Sequence, residues 1–60
     1  MKATIYGFEE HKKERFSYEL NNVIAVNEIN NVISIQYMET NGKPYVNQYM
    51  KNDVKIVIEN

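Results

Sequence analysis

Apolar and polar positions alternate along most of this chain with a period of two rather than 3.6, the mark of strands that bury one face. Turn residues punctuate that alternation. The strongest turn signal is Asn41-Gly42, because a type I′ hairpin turn needs positive φ at both central residues and these two tolerate it best. Pairing Thr40 with Lys43 around it sets Tyr37 opposite Val46, Ile35 opposite Gln48 and Ile33 opposite Met50 on one face. The other face then holds Met38 with Tyr45, Gln36 with Asn47 and Ser34 with Tyr49. The first is read as the core side. Pro44 opposes Glu39 in this register, near a strand end, where a missing N–H is tolerated.

Lys51-Asn52-Asp53 reads as a three-residue hairpin loop that pairs Met50 with Val54, Gln48 with Ile56 and Val46 with Ile58. Val54, Ile56 and Ile58 thereby join the core face. Upstream, a tight turn at Asn30-Asn31 pairs Val26 with Ile35 and Ile24 with Tyr37. Phe16, Tyr18, Leu20, Ile24 and Val26 share one parity, so residues 16–26 read as one long strand bent near Asn21-Asn22.

The first strand is expected from about Lys2 to Phe8, with Tyr6 and Phe8 on one side and Ala3, Ile5 and Gly7 on the other. Glu9 to Leu20 has a rival reading as a helix, since it opens with acidic helix formers and carries a Glu9 to Lys13 i,i+4 pair. The period-two run Phe16-Ser17-Tyr18-Glu19-Leu20 favours a strand. The expected fold is all-β: a curved antiparallel five-stranded meander, or a small SH3-like or OB-like barrel, as one domain over residues 1–60. The alternative is α+β, a four- or five-stranded sheet with one helix around Glu9 to Leu20.

Size limits what a single copy can bury. A chain of 60 residues buries only about 60% of its unfolded surface, and this one contains no cysteine and one histidine to staple it. A homodimer or higher homo-oligomer is therefore expected. No apolar run approaches the roughly 20 residues that span a bilayer, and the start Met1-Lys2-Ala3-Thr4-Ile5 lacks a signal peptide's apolar core, so a cytoplasmic location is expected, away from membranes. A formal net charge of −1 disfavours a duplex DNA binder. Asparagine, isoleucine, lysine and tyrosine fill 27 positions, whereas glycine, alanine, arginine and proline fill 6. Those are AT-rich and GC-rich codon families respectively, so a low-GC source genome is expected.

Candidate chemistry is sparse. Thr4, Ser17, Ser34 and Thr40 are the only aliphatic hydroxyls against the single His11, which sits in a charged loop, and no nucleophile–base pair suggests itself. The carboxylates are scattered near turns and ends, and Gly7 and Gly42 form no phosphate loop. No enzyme activity, cofactor or metal is expected.

Two features stand above that background. Lys12, Lys13 and Arg15 hold three of the seven fixed positive charges within four residues, offset by Glu9, Glu10 and Glu14, and with Lys43 and Lys55 they are the expected contacts to nucleic acid or an acidic partner. Second, the outward face deduced above mixes Val23, Met38, Tyr45, Tyr49 and Val57 with Gln36, Asn47 and Lys55 where a purely polar set is usual. Tyrosine and methionine are enriched at interfaces, so that set is the expected interface.

The expected function is a small non-enzymatic binding module or inhibitor that works through a sheet face and self-association. In size, acidity and codon bias the chain resembles phage or mobile-element products that disable host factors, anti-CRISPR inhibitors among them. The alternative is an oligomeric single-stranded nucleic-acid binder, in which Tyr45 and Tyr49 stack bases while Lys12, Lys13, Arg15, Lys43 and Lys55 track phosphates.

Overall fold

The computed structural model describes residues 1–60 and resolves the alternation into six strands: β1 (Lys2–Glu9), β2 (Glu14–Leu20), β3 (Val23–Ile29), β4 (Val32–Met38), β5 (Pro44–Met50) and β6 (Val54–Glu59). The all-β, antiparallel reading holds, with six strands rather than five. They form two three-stranded sheets, sheet A in the order β2-β1-β6 and sheet B in the order β3-β4-β5, in place of one meander or a closed barrel. No helix is long and apolar enough to cross a membrane.

The helical reading of Glu9 to Leu20 gives way to a hairpin. Phe16, Tyr18 and Leu20 pair with Gly7, Ile5 and Ala3, which turns to one side, with Leu20 buried, residues that a helix would have scattered around its circumference. The charged residues 10–13 form the turn, with Lys13 at φ 54° and the His11 N–H donating to Glu9 Oε1 at 3.0 Å. Residues 16–26 are two strands, not one: Asn22, at φ 57°, turns the chain from sheet A into sheet B. Asparagine is the non-glycine residue best suited to that conformation.

Within sheet B the turn at Asn30-Asn31 is as read. Both residues take positive φ, 51° and 65°, as a type I′ turn demands, and Val26 pairs with Ile35. The expected pair of Ile24 with Tyr37 is replaced by Val23 with Tyr37, because the register shifts between Val23 and Ala25 and leaves Ile24 as the extra, exposed residue of a bulge.

The Asn41-Gly42 turn departs from the expected type. Only Gly42 has positive φ, 81°, and the Gly42 N–H donates to the Glu39 carbonyl at 2.9 Å while the Glu39 N–H donates to the Lys43 carbonyl at 3.0 Å. That is a type I turn closed by a left-handed glycine, a longer loop than the two-residue one. Its partners are Tyr37 with Tyr45, Ile35 with Asn47 and Ile33 with Tyr49, one residue out of the expected register. A one-residue slip turns every side chain of a strand over, so Tyr45 and Tyr49 face inward, while Val46 and Met50 face outward.

The last crossing is a second correction. Lys51-Asn52-Asp53 does not close a hairpin between β5 and β6; it carries the chain back to sheet A, where β6 pairs with β1. Val54, Ile56 and Ile58 still face inward, opposite Gly7, Ile5 and Ala3.

The sheets pack inner face to inner face around Ala3, Ile5, Leu20, Val23 and Ile35. Ile5 of the central strand β1 and Ile35 of the central strand β4 are both 0% exposed. The core is small and the shell is open. The accessible surface is 4746 Å², against about 4100 Å² for a compact chain of this mass. The radius of gyration is 12.0 Å, against about 10.4 Å for a compact 60-residue domain.

Candidate interaction surfaces

A shallow pocket of about 150 Å³ opens where the chain crosses between sheets, lined by Leu20, Tyr37, Met38 and the carboxylates Glu19 and Glu39 among others. Ligand pockets run from about 300 Å³ upward, so the candidates are surfaces. No group of three or more histidine, aspartate or glutamate side chains gathers anywhere in the fold.

The first surface is the seam where Tyr18 of edge strand β2 reaches Tyr49 of edge strand β5. Tyr18 and Tyr49 bond through their hydroxyls at 2.7 Å, tying sheet A to sheet B. Asn47 Nδ2 donates to the Tyr49 hydroxyl at 3.1 Å and Asn47 Oδ1 accepts from Tyr37 at 3.3 Å. Phe16 stacks on Tyr18 and Tyr37 on Tyr45, with centroids 6.1 and 5.9 Å apart. Partial burial and then the bond to Tyr49 push the Tyr18 phenol up to about 12, so it stays neutral. The hydroxyls of Tyr18, Tyr37 and Tyr49 and the Asn47 amide all bond within the seam. The seam is a lock between sheets.

The second surface is the outer face of sheet B. By register and alternation, β3 presents Ala25, Asn27 and Ile29 there, β4 Val32, Ser34, Gln36 and Met38, and β5 Pro44, Val46, Gln48 and Met50. None of these side chains ionises. Ile29, Met50 and Val46 are 70%, 54% and 53% exposed.

The third is the outer face of sheet A, and it is polarised along its length. At one end Lys2 lies 3.8 Å from Glu19 and 3.9 Å from Glu59. At the other, Tyr6 lies between Ser17 and Lys55, and Phe8 beside Arg15. Alternation places Glu9 and Glu14, a register pair, on the opposite side.

The expected interface residues are therefore not brought together. Val23 is buried in the core; Tyr45 and Tyr49 belong to the seam; Met38 lies on the outer face of sheet B and Val57 on that of sheet A. The cations divide as well. Arg15 and Lys55 share the outer face of sheet A and Lys12 and Lys13 occupy the β1–β2 turn beside it, whereas Lys43 lies in the β4–β5 loop of the other sheet. Sequence reasoning missed Val46 and Met50 through the register slip, and it passed over Ile29, whose outward side the Asn30-Asn31 turn already set. It also missed Tyr6 and Phe8, although their shared parity was visible in the alternation of β1.

No protein-family model matches the chain, and neither a curated protein nor a solved structure matches it.

Proposed function

We propose that the chain is a small non-enzymatic binding module that works as a homo-oligomer assembled through the outer face of sheet B. The observation that carries this is the run of neutral side chains across all three strands of that face, with Ile29, Val46 and Met50 more than half exposed. Interface cores are depleted of charge and enriched in methionine and apolar side chains. Isolated antiparallel sheets instead meet water with a polar outer face.

A second copy is the occupant that the surface area favours. The fold exposes 4746 Å², about 650 Å² more than a compact chain of its mass. One partner of a standard interface covers about 800 Å². Face-to-face packing of two copies would bury the excess. It would also add to a core in which only 5 of 60 residues are buried.

Mass in solution, by light scattering coupled to size exclusion, tests the proposal. The wild-type chain is expected at a multiple of 7.1 kDa; Met50→Lys and Val46→Lys are expected at the single-chain mass with unchanged far-ultraviolet dichroism. A wild-type monomer at tens of micromolar overturns self-association. An oligomer indifferent to both variants overturns the choice of face.

A further inference from the structure

We propose that the outer face of sheet A, at the end holding Tyr6 and Phe8, binds single-stranded nucleic acid. Tyr6 and Phe8 stand two residues apart on the central strand and face the same side, 45% and 48% exposed. Two residues along a strand span about 6.6 Å, roughly twice the 3.4 Å rise per nucleotide of a duplex strand. The two rings thus suit bases splayed from an extended strand, one base to each ring. Exposed rings of this kind stack any base, because every base has a π-face.

Charge selects the same ligand. Arg15 flanks Phe8 and Lys55 flanks Tyr6 across the sheet, one from each edge strand. Neither is engaged in an ion pair; the ion pairs of the fold are those of Lys2 with Glu19 and Glu59 and of Lys51 with Glu28. Lys12 and Lys13 continue the line of cations into the adjoining turn. The carboxylates of this end are Glu9 and Glu14, turned to the other face, and Glu10 and Asp53, which lie in the turns. Aromatic rings therefore lie between cations, the arrangement that tracks a phosphate backbone while stacking its bases. A duplex, whose bases are already stacked, has no use for the rings.

The site lies on the sheet opposite the proposed assembly face, so a monomeric variant such as Met50→Lys keeps it. The two proposals fail separately.

Fluorescence anisotropy with a labelled oligothymidylate of about a dozen nucleotides, titrated with the full chain at low salt, is the test. Binding is expected to weaken about tenfold or more in Tyr6→Ala and in Phe8→Ala, to be retained in Tyr6→Phe, and to fall in Arg15→Glu and Lys55→Glu. Lys43→Glu, on the other sheet, should leave it nearly unchanged. Affinity should fall with salt at a slope of about −0.7 per phosphate contact. No binding at low salt overturns the proposal. Binding that Tyr6→Ala and Phe8→Ala leave intact overturns it too, as does equal affinity for a duplex of the same length. Dichroism of each variant verifies that the sheet is retained. Should the alanine variants unfold, loss in the paired Arg15→Glu and Lys55→Glu variants with Tyr6→Phe unaffected still supports the site, and retention in both charge variants sinks it.

Discussion

Sheet A and sheet B are built alike, each of three antiparallel strands of six to eight residues, yet their outer faces share almost no chemistry. Sheet A turns outward a lysine held by two glutamates at one end and two aromatic rings between cations at the other. Sheet B turns outward only neutral side chains. The inner faces cannot differ in this way, because both must supply apolar groups to one core. Alternation constrains one side of each strand and leaves the other free, so the outer faces are where two otherwise similar sheets can differ in chemistry.

Two sheets with one core should unfold as one cooperative unit, and truncating that core tests it. Ile5→Ala and Ile35→Ala each remove a fully buried side chain from a central strand, one per sheet. Each is expected to cost about 2–5 kcal/mol, measured as a shift of the urea midpoint. Both should give a single transition with the wild-type dependence on urea. A biphasic transition in Ile35→Ala alone would show that sheet A stands without sheet B.

A lysine placed at Ser34, in the middle of the outer face of sheet B, should weaken self-association about 100-fold, or roughly 2.7 kcal/mol. A lysine at Thr4, the equivalent central position of sheet A, should leave the solution mass unchanged. Sedimentation equilibrium of the two variants reads the difference directly. Equal masses would mean that the neutral face carries no assembly.

The buried central positions were legible and the outer side of β5 was not, for a reason of register. Ile5 and Ile35 follow from alternation alone, and the pairing of Val26 with Ile35 follows from Asn30-Asn31, where two asparagines in the left-handed region leave only a two-residue turn. Asn41-Gly42 serves two different turns, and they differ by one residue in register. In the one formed here Asn41 instead accepts the Lys43 N–H on Oδ1 at 2.9 Å and only Gly42 turns left-handed. From that single residue follows the exchange of Tyr45 and Tyr49 with Val46 and Met50, and with it the identity of the neutral face. The partner of β6 was hidden for another reason. Val54, Ile56 and Ile58 face the core whether β6 pairs with β5 or with β1, so alternation fixes the face and says nothing about the neighbour. Tyr6 and Phe8 were obscured because the small Gly7 marks the inner side of β1. Its empty place is filled by the Phe16 ring, which a Cβ on Gly7 would meet at 2.2 Å.

A smaller effect lies in the seam that joins the two sheets. Tyr18→Phe removes the 2.7 Å bond to Tyr49 and should cost about 0.5–1.5 kcal/mol at neutral pH. Its pH dependence is more telling than its size. The folded chain holds the Tyr18 proton up to about 12, whereas an unfolded tyrosine releases it near 10. Between those values the folded state binds more protons, so stability is fully present below about pH 10 and declines as pH rises toward 12. Urea midpoints followed from pH 9 to 12 should fall more steeply for the wild type than for Tyr18→Phe. Parallel curves would mean that the seam does not hold that proton.

The smallest effect separates the two ends of sheet A. Lys2→Met removes both ion pairs that cross from β1 to β2 and β6. At 3.8 and 3.9 Å, with the side chains well exposed, such pairs contribute about 0–1 kcal/mol. The loss should vanish in 1 M salt, where charges are screened within about 3 Å. The loss in Tyr18→Phe, a bond between neutral groups, should persist there. Lys2→Met also leaves Glu19 and Glu59 uncompensated on the face that carries Tyr6 and Phe8. Its effect on oligonucleotide affinity at low salt should therefore exceed its effect on folding, because a fixed cation is lost from one face of the sheet while the packing of the core is untouched. Equal changes in both would mean that Lys2 acts through the fold and that the outer face of sheet A is not electrostatically one surface.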